Sequence, residues 1–419
     1  MKRNLLSIGL FAGALTLGAA TLPDVSGVTM VQDADRTVRV GYTLAHGPAI
    51  VTLAVETNAP GGAWLPAGGR LTATALGDVN RVVEDGAHAI AFAPDRDFPD
   101  GLVGAGAARA VVTAWPVDDP PDYLAVDLSP SANVTSRVRY YPDAESVPGG
   151  VVSNVHYRLS TLLLRRMHAR GRTWMMGAVA PTGRGTTSPR SMTLAEDYYV
   201  GVFEVTHAQW AYVAGTNNLL ERAYSLAELH PAGNVSYLRL RENANGTGAA
   251  RDPDAVPGAT SFLGKLRART GIAFDLPTDA EWEFAAKGGQ GDGHWGDGSP
   301  YLGTDVDANL PGVYSGNSGV PVGEVVVLRT RPCGQFAPNA YGLYDMHGNN
   351  WEWARDSAWP DIDAATKRVV RGGGKGHNAQ NCRASVRVGV DPGRGSDDYG
   401  ARVRCPIDIR TGFDGEVAQ

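Results

Sequence analysis

Between Val25 and Leu128 apolar and polar residues alternate with a period of two. In "RTVRVGYTL", Val38, Val40, Tyr42 and Leu44 fall on one face and Thr37, Arg39 and Thr43 on the other, the pattern of a half-buried strand. "IVTLAVET" repeats it with Val51, Leu53 and Val55, "AIAFAP" contributes Ile90 and Phe92, and "RAVVTAWPV" supplies a further strand. Strands this short, parted by Gly, Pro and Asp turns, predict an all-β immunoglobulin-like sandwich over residues 21–128. It lacks a Cys-Trp-Cys pattern and any cluster of His, Cys or carboxylates, so its expected role is that of an accessory or spacer. "DDPPDYLAVDLSPSANVTS" is rich in Pro, Asp and Ser and leads into an expected linker at 129–151.

From residue 152 the alternation gives way to Trp-rich sequence with few long periodic segments. Two short helices are signalled by their first turns: Thr206 and Gln209 make a T-x-x-Q capping box, Thr278 and Glu281 a T-x-x-E box, with Gly288 as the stop. "ATSFLGKLRART" is a third helix candidate, with Phe262, Leu263 and Leu266 on one side. Few helices and many loops and aromatics predict an α+β domain over 152–409, followed by a tail at 410–419.

Composition narrows the function classes. The 419 residues are 43% hydrophobic and 20% charged, a soluble globular balance with room for two or three domains. A net charge of -6 offers no basic footprint for nucleic acid or an anionic membrane. Lys2 and Arg3 precede an apolar run from Leu5 to Ala20, with small residues at Gly18 and Ala20. Residues 1–20 therefore read as a signal peptide, the run being too short and glycine-broken to span, and the protein is expected to be secreted or periplasmic. Export would place Cys333, Cys382 and Cys405 in an oxidising compartment, where three cysteines allow at most one internal disulfide.

Seven segments occur in the order found in the formylglycine-generating enzyme, or sulfatase-modifying factor, family. They are "WMMGAVAP", "YYVGVFEVTHAQW", "GNVSY", "FDLPTDAEWEFAAKGG", "FAPNAYGLYDMHGNNWEWARD", "RVVRGGG" and "CRASVR". The chain resembles that family over about 152–409, which implies a loop-rich C-type lectin-like fold. In active members, the resemblance implies, a sulfatase cysteine is oxidised to formylglycine at a copper(I) ion held by two cysteines. Copper(I) is soft and prefers thiolates, so both are needed.

The corresponding segment here is "RGGGKGHNAQNCRASVR", with Gly374 and Lys375 in place of the usual Ser and aromatic. Counted from the glycines, His377 and Cys382 fall at the two cysteine positions; counted from Arg383 and Arg387, Cys382 matches neither. A mixed His377/Cys382 copper site is the catalytic candidate, and the alternative for Cys382 is a buried thiol or half of a disulfide to Cys333 or Cys405. Arg383, Arg387, Arg402 and Arg404 are expected to bind carboxylates and backbone carbonyls.

"GLYDMHGNNWEWARD" holds the candidate metal residues. Asp345 and Glu352 flank Gly348, so the chain can turn back and aim both carboxylates at one calcium ion, with backbone carbonyls of Gly348 and Asn350 completing the cage. The resemblance implies the same four positions for a structural calcium. Alternation then buries Trp351 and Trp353 on the side opposite Glu352; otherwise the two carboxylates cap backbone N–H groups and pair with arginines such as Arg355. A second family calcium site would begin at Asn309, but no aspartate follows at the matching place.

Three functions follow as expectations. The first is a monomeric, exported, calcium-stabilised module without the oxidase site, binding a protein or glycan ligand. The second is an active formylglycine-generating enzyme acting on a sulfatase. The third is a retroelement-diversified ligand-display protein, for which the window after "RGG" holds Asn378, Asn381, Tyr399 and few others.

Overall fold

The computed structural model describes residues 21–58, 62–67, 74–98, 108–130, 137–178, 189–215, 227–242, 254–289, 294–295, 299–301, 307–322, 325–357 and 366–409. The expected signal peptide and tail lie outside the described residues.

Two antiparallel sheets form the N-terminal unit. One has the order β1 (Asp24–Gln32), β2 (Val38–Ala45), β7 (Gly86–Phe92), β5 (Leu76–Gly77). The other runs β4 (Trp64–Pro66), β3 (Ala49–Asn58), β6 (Arg81–Val83), with β8 (Ala108–Pro116) also on β3. Val38, Val40, Tyr42 and Leu44 point inward, as their alternation requires, and meet Val51, Leu53, Val55, Ile90 and Phe92 in one core.

The sheet that follows begins earlier than the sequence suggests. Tyr123–Asp127 (β9) leaves these two sheets and pairs with Val138–Tyr141 (β10) and Thr161–Met167 (β11) in a five-stranded sheet completed by Tyr198–Gly201 and Arg404–Pro406. Leu124, Val126 and Leu128, expected in the sandwich, and Tyr140, expected in the linker, are all buried in the second unit's core. That core also takes Ile50 from β3, and the Tyr140 N–H donates to the Asn80 carbonyl. The two units are thereby tied together.

Helices are few and strands predominate. Both capping boxes form, at Thr206 ahead of His207–Ala214 and at Thr278 ahead of Asp279–Lys287, and Gly288 ends the latter in the left-handed region. Ser261 caps the third helix, Phe262–Thr270. Trp210 stacks on Phe262 with ring centroids 4.5 Å apart, which joins two of these helices. A four-stranded sheet, ordered Arg387–Val390, Arg368–Arg371, Trp351–Ser357, Tyr399–Gly400, carries the tryptophan-rich signature. Among the described residues no helix is long and apolar enough to cross a membrane.

Candidate functional site

The signature loop is shaped by its backbone. Asp345 and Asn349 adopt φ of 58° and 63°, and Gly348 one of 96°. A side chain at Gly348 would lie 2.1 Å from the Val313 carbonyl oxygen, and one at Gly312 would lie 1.6 Å from that of His347, so glycine is required at both. Trp351 and Trp353 are buried, as the alternation predicts. The Trp353 indole donates to the Val235 carbonyl (2.8 Å) and meets Tyr237 and Tyr399 edge-on.

Glu352 points the other way, into a polar pocket. Its carboxylate accepts from the Trp282 indole (2.6 Å) and from the Arg402 guanidinium, through Nη2 at 2.9 Å and Nε at 3.2 Å to each oxygen. Arg355, the arginine expected as a partner, lies 3.7 Å from Asp254 instead. Asp345 accepts the backbone N–H of Gly334 (2.6 Å). Beside it the side chains of Glu204, Cys333 and Asp345 bring one ligand atom each within 4.8 Å of one another, all buried. Glu204 accepts from Asn349 Nδ2 (2.7 Å), the Asn350 N–H (3.1 Å) and the Cys333 thiol (3.7 Å).

Charge in this pocket is unbalanced. Burial, then the Glu352 and Asp345 carboxylates, push the Glu204 pKa far above its ordinary value. Burial likewise raises Asp345 to about 6 and, with Glu204 and Asp345 alongside, drives the Cys333 thiol well up. Cys333 is therefore a protonated thiol, not a nucleophile. Calcium held by Glu352 does not fit this arrangement: the carboxylate is already filled by an indole N–H and a guanidinium, and the guanidinium would repel a divalent ion.

The two copper candidates each have their own partners. Cys382 sits in an apolar cluster with Trp295, Leu310, Tyr314 and Ala379, donates weakly to the Asn378 carbonyl (3.6 Å), and has its pKa pushed up to about 12 by burial. The His377 ring lies 3.1 Å from the Trp351 indole nitrogen and 3.4 Å from an Asp398 oxygen. A soft copper(I) ion needs accessible thiolate, which the buried Cys382 does not offer. All three cysteines are free and buried, so no disulfide forms and Cys382 takes the buried-thiol alternative.

The arginines behave as their chemistry predicts. Arg371 and Arg387 converge on Asp279, Arg371 also reaches Glu283, and Arg404 reaches Glu281, so the first turns of the Asp279–Lys287 helix are clamped by three forks. Arg383 lies over the Tyr301 ring, 5.0 Å from its centroid, and donates to the Gln380 carbonyl. Sequence reasoning missed Glu204 and Trp282. A glutamate inside the apolar run "VGVFEVT" was the available signal, since a charge there is buried and needs partners.

The sulfatase-modifying factor enzyme 1-like domain matches residues 167–406, more than half of the chain. A "Chaperone protein LppX" of Paenibacillus barcinonensis is 27% identical over 250 residues, covering 54% of this chain and 86% of that protein. An "Inactive C-alpha-formylglycine-generating enzyme 2" of Mus musculus is 26% identical over 273 residues, 56% of this chain and 84% of its own length. A formylglycine-generating enzyme of Thermomonospora curvata is 36% identical over 98 residues, only 22% of this chain and 32% of that enzyme. Among solved structures, Treponema denticola variable protein 1 superposes with a TM-score of 0.44 at 23% identity, covering 58% of this chain and 95% of that one.

Proposed function

Because the chain belongs to the sulfatase-modifying factor enzyme 1-like family, we propose that it is a member without oxidase activity, an exported binding or accessory module. One observation carries this reading. Cys382, the cysteine of the segment where the family's copper chemistry is expected, is sealed in an apolar cluster and held protonated. Function resides in the site and not in the fold, and a fold that keeps the scaffold without accessible thiolates keeps a surface for recognition. The names of two relatives, one a chaperone and one an inactive enzyme, support the same direction. In this reading the N-terminal sandwich is an immunoglobulin-like spacer, and the ligand is a protein or glycan met by a single copy of the chain.

The test is direct. Copper(I) titration of the purified protein should reveal no tight one-to-one site. A sulfatase-derived cysteine peptide incubated with the protein, copper and oxygen should keep its mass. A peptide carrying formylglycine would overturn the proposal.

A further inference from the structure

A structural cation in a loop such as Gly342–Trp351 has two tasks: it neutralises buried carboxylate charge, and it ties oxygens from separate segments to one point. Arg402 performs both for Glu352. Its side chain is fully buried, and every polar contact described for it is to oxygen. Nη1 donates to the Gly201 carbonyl at the end of the strand Tyr198–Gly201 (2.8 Å), and Nη2 to the Tyr344 carbonyl at the head of the loop (2.7 Å). Nη2 and Nε together hold the Glu352 carboxylate on the following strand. One fork thus joins the end of the distant strand Tyr198–Gly201 to both sides of the signature loop. A guanidinium suits this work because it is planar, always charged and carries five donors. Glu204 and Asp345 lie close enough to favour its charge further, against the opposition of burial.

We propose that Arg402 is an internal cation standing in for a metal ion, so that the signature loop of this protein is locked without calcium. The proposal does not depend on whether the domain is an oxidase or a binding module, and its test reads neither activity.

The full chain, purified without chelator, should contain well below one calcium per molecule by elemental analysis. Its thermal midpoint should stay within a degree on adding either excess EGTA or millimolar calcium. Bound calcium near one equivalent, or a fall of several degrees with EGTA, would overturn the proposal. The variant R402M keeps bulk but removes the charge, leaving Glu352 buried and unpaired. Its midpoint should drop by about 5 °C or more, and millimolar calcium should recover part of that loss. An R402M midpoint equal to that of the parent, or one that ignores calcium, would refute the exchange of arginine for an ion. Should R402M not fold, the double variant R402M/E352Q, which leaves no unpaired charge, should fold and melt independently of calcium. Failure of that variant as well would count against the Glu352–Arg402 coupling.

Discussion

His207 and His230 are buried side by side, the backbone N–H of one donating to the carbonyl of the other. Burial lowers the pKa of each to about 4. In the unfolded chain both would take up protons near the ordinary value of about 6.5. The sign follows from linkage: protons bind the unfolded state first, so stability is full above pH ~6.5 and is lost as pH falls toward ~4. We predict that the denaturation midpoint at pH 4.5 lies well below that at pH 7.5, and that H207Q narrows the gap. An equal gap in the variant would remove His207 from the account. At this scale the sequence was partly legible. Asp345, Gly348 and Asn350 lie in one turn of the chain and Glu352 on the strand that leaves it, because a local motif encodes a local turn. The partners that decide their chemistry come from elsewhere: Arg402 lies fifty positions beyond Glu352, and Glu204 reaches Asn349 across 145. No spacing rule connects such residues before the fold is known.

The elements held up best where a few neighbouring residues specify them. At Thr278 the hydroxyl accepts the Glu281 N–H and the Glu281 carboxylate accepts the Thr278 N–H, so two donors at the helix start are satisfied at once. T278A should destabilise the protein by about 1 kcal/mol, measured by urea denaturation. A loss near zero would show that the three arginine forks alone hold this helix. Elements whose pairing depends on distant strands were less legible. "YLAVD" has a strand's composition, yet nothing within it tells whether it closes the sandwich or opens the next sheet. The structure places it between β10 and β11, with Tyr123, Leu124, Ala125 and Val126 all buried, so both of its edges are paired and both of its faces covered.

Ile50 belongs to the sandwich by sequence and to the larger core by contact. With Trp115 and Val82 it forms the apolar joint between the units. I50A should therefore cost ~2–5 kcal/mol and lower the unfolding midpoint of both sheets together, as followed by hydrogen exchange. Exchange confined to the sandwich strands would mean that the units melt separately. The closing of the molecule by its far end has another consequence. Tyr399–Gly400 and Arg404–Pro406 are the last strands added to two different sheets, and Arg402 between them fastens Gly201, Tyr344 and Glu352. A chain extended only to Asp398 has its N-terminal strands in hand, but neither of these two sheets can be finished. Folding of the second unit therefore waits on this segment, and until it docks the five-stranded and the four-stranded sheet each lack one strand.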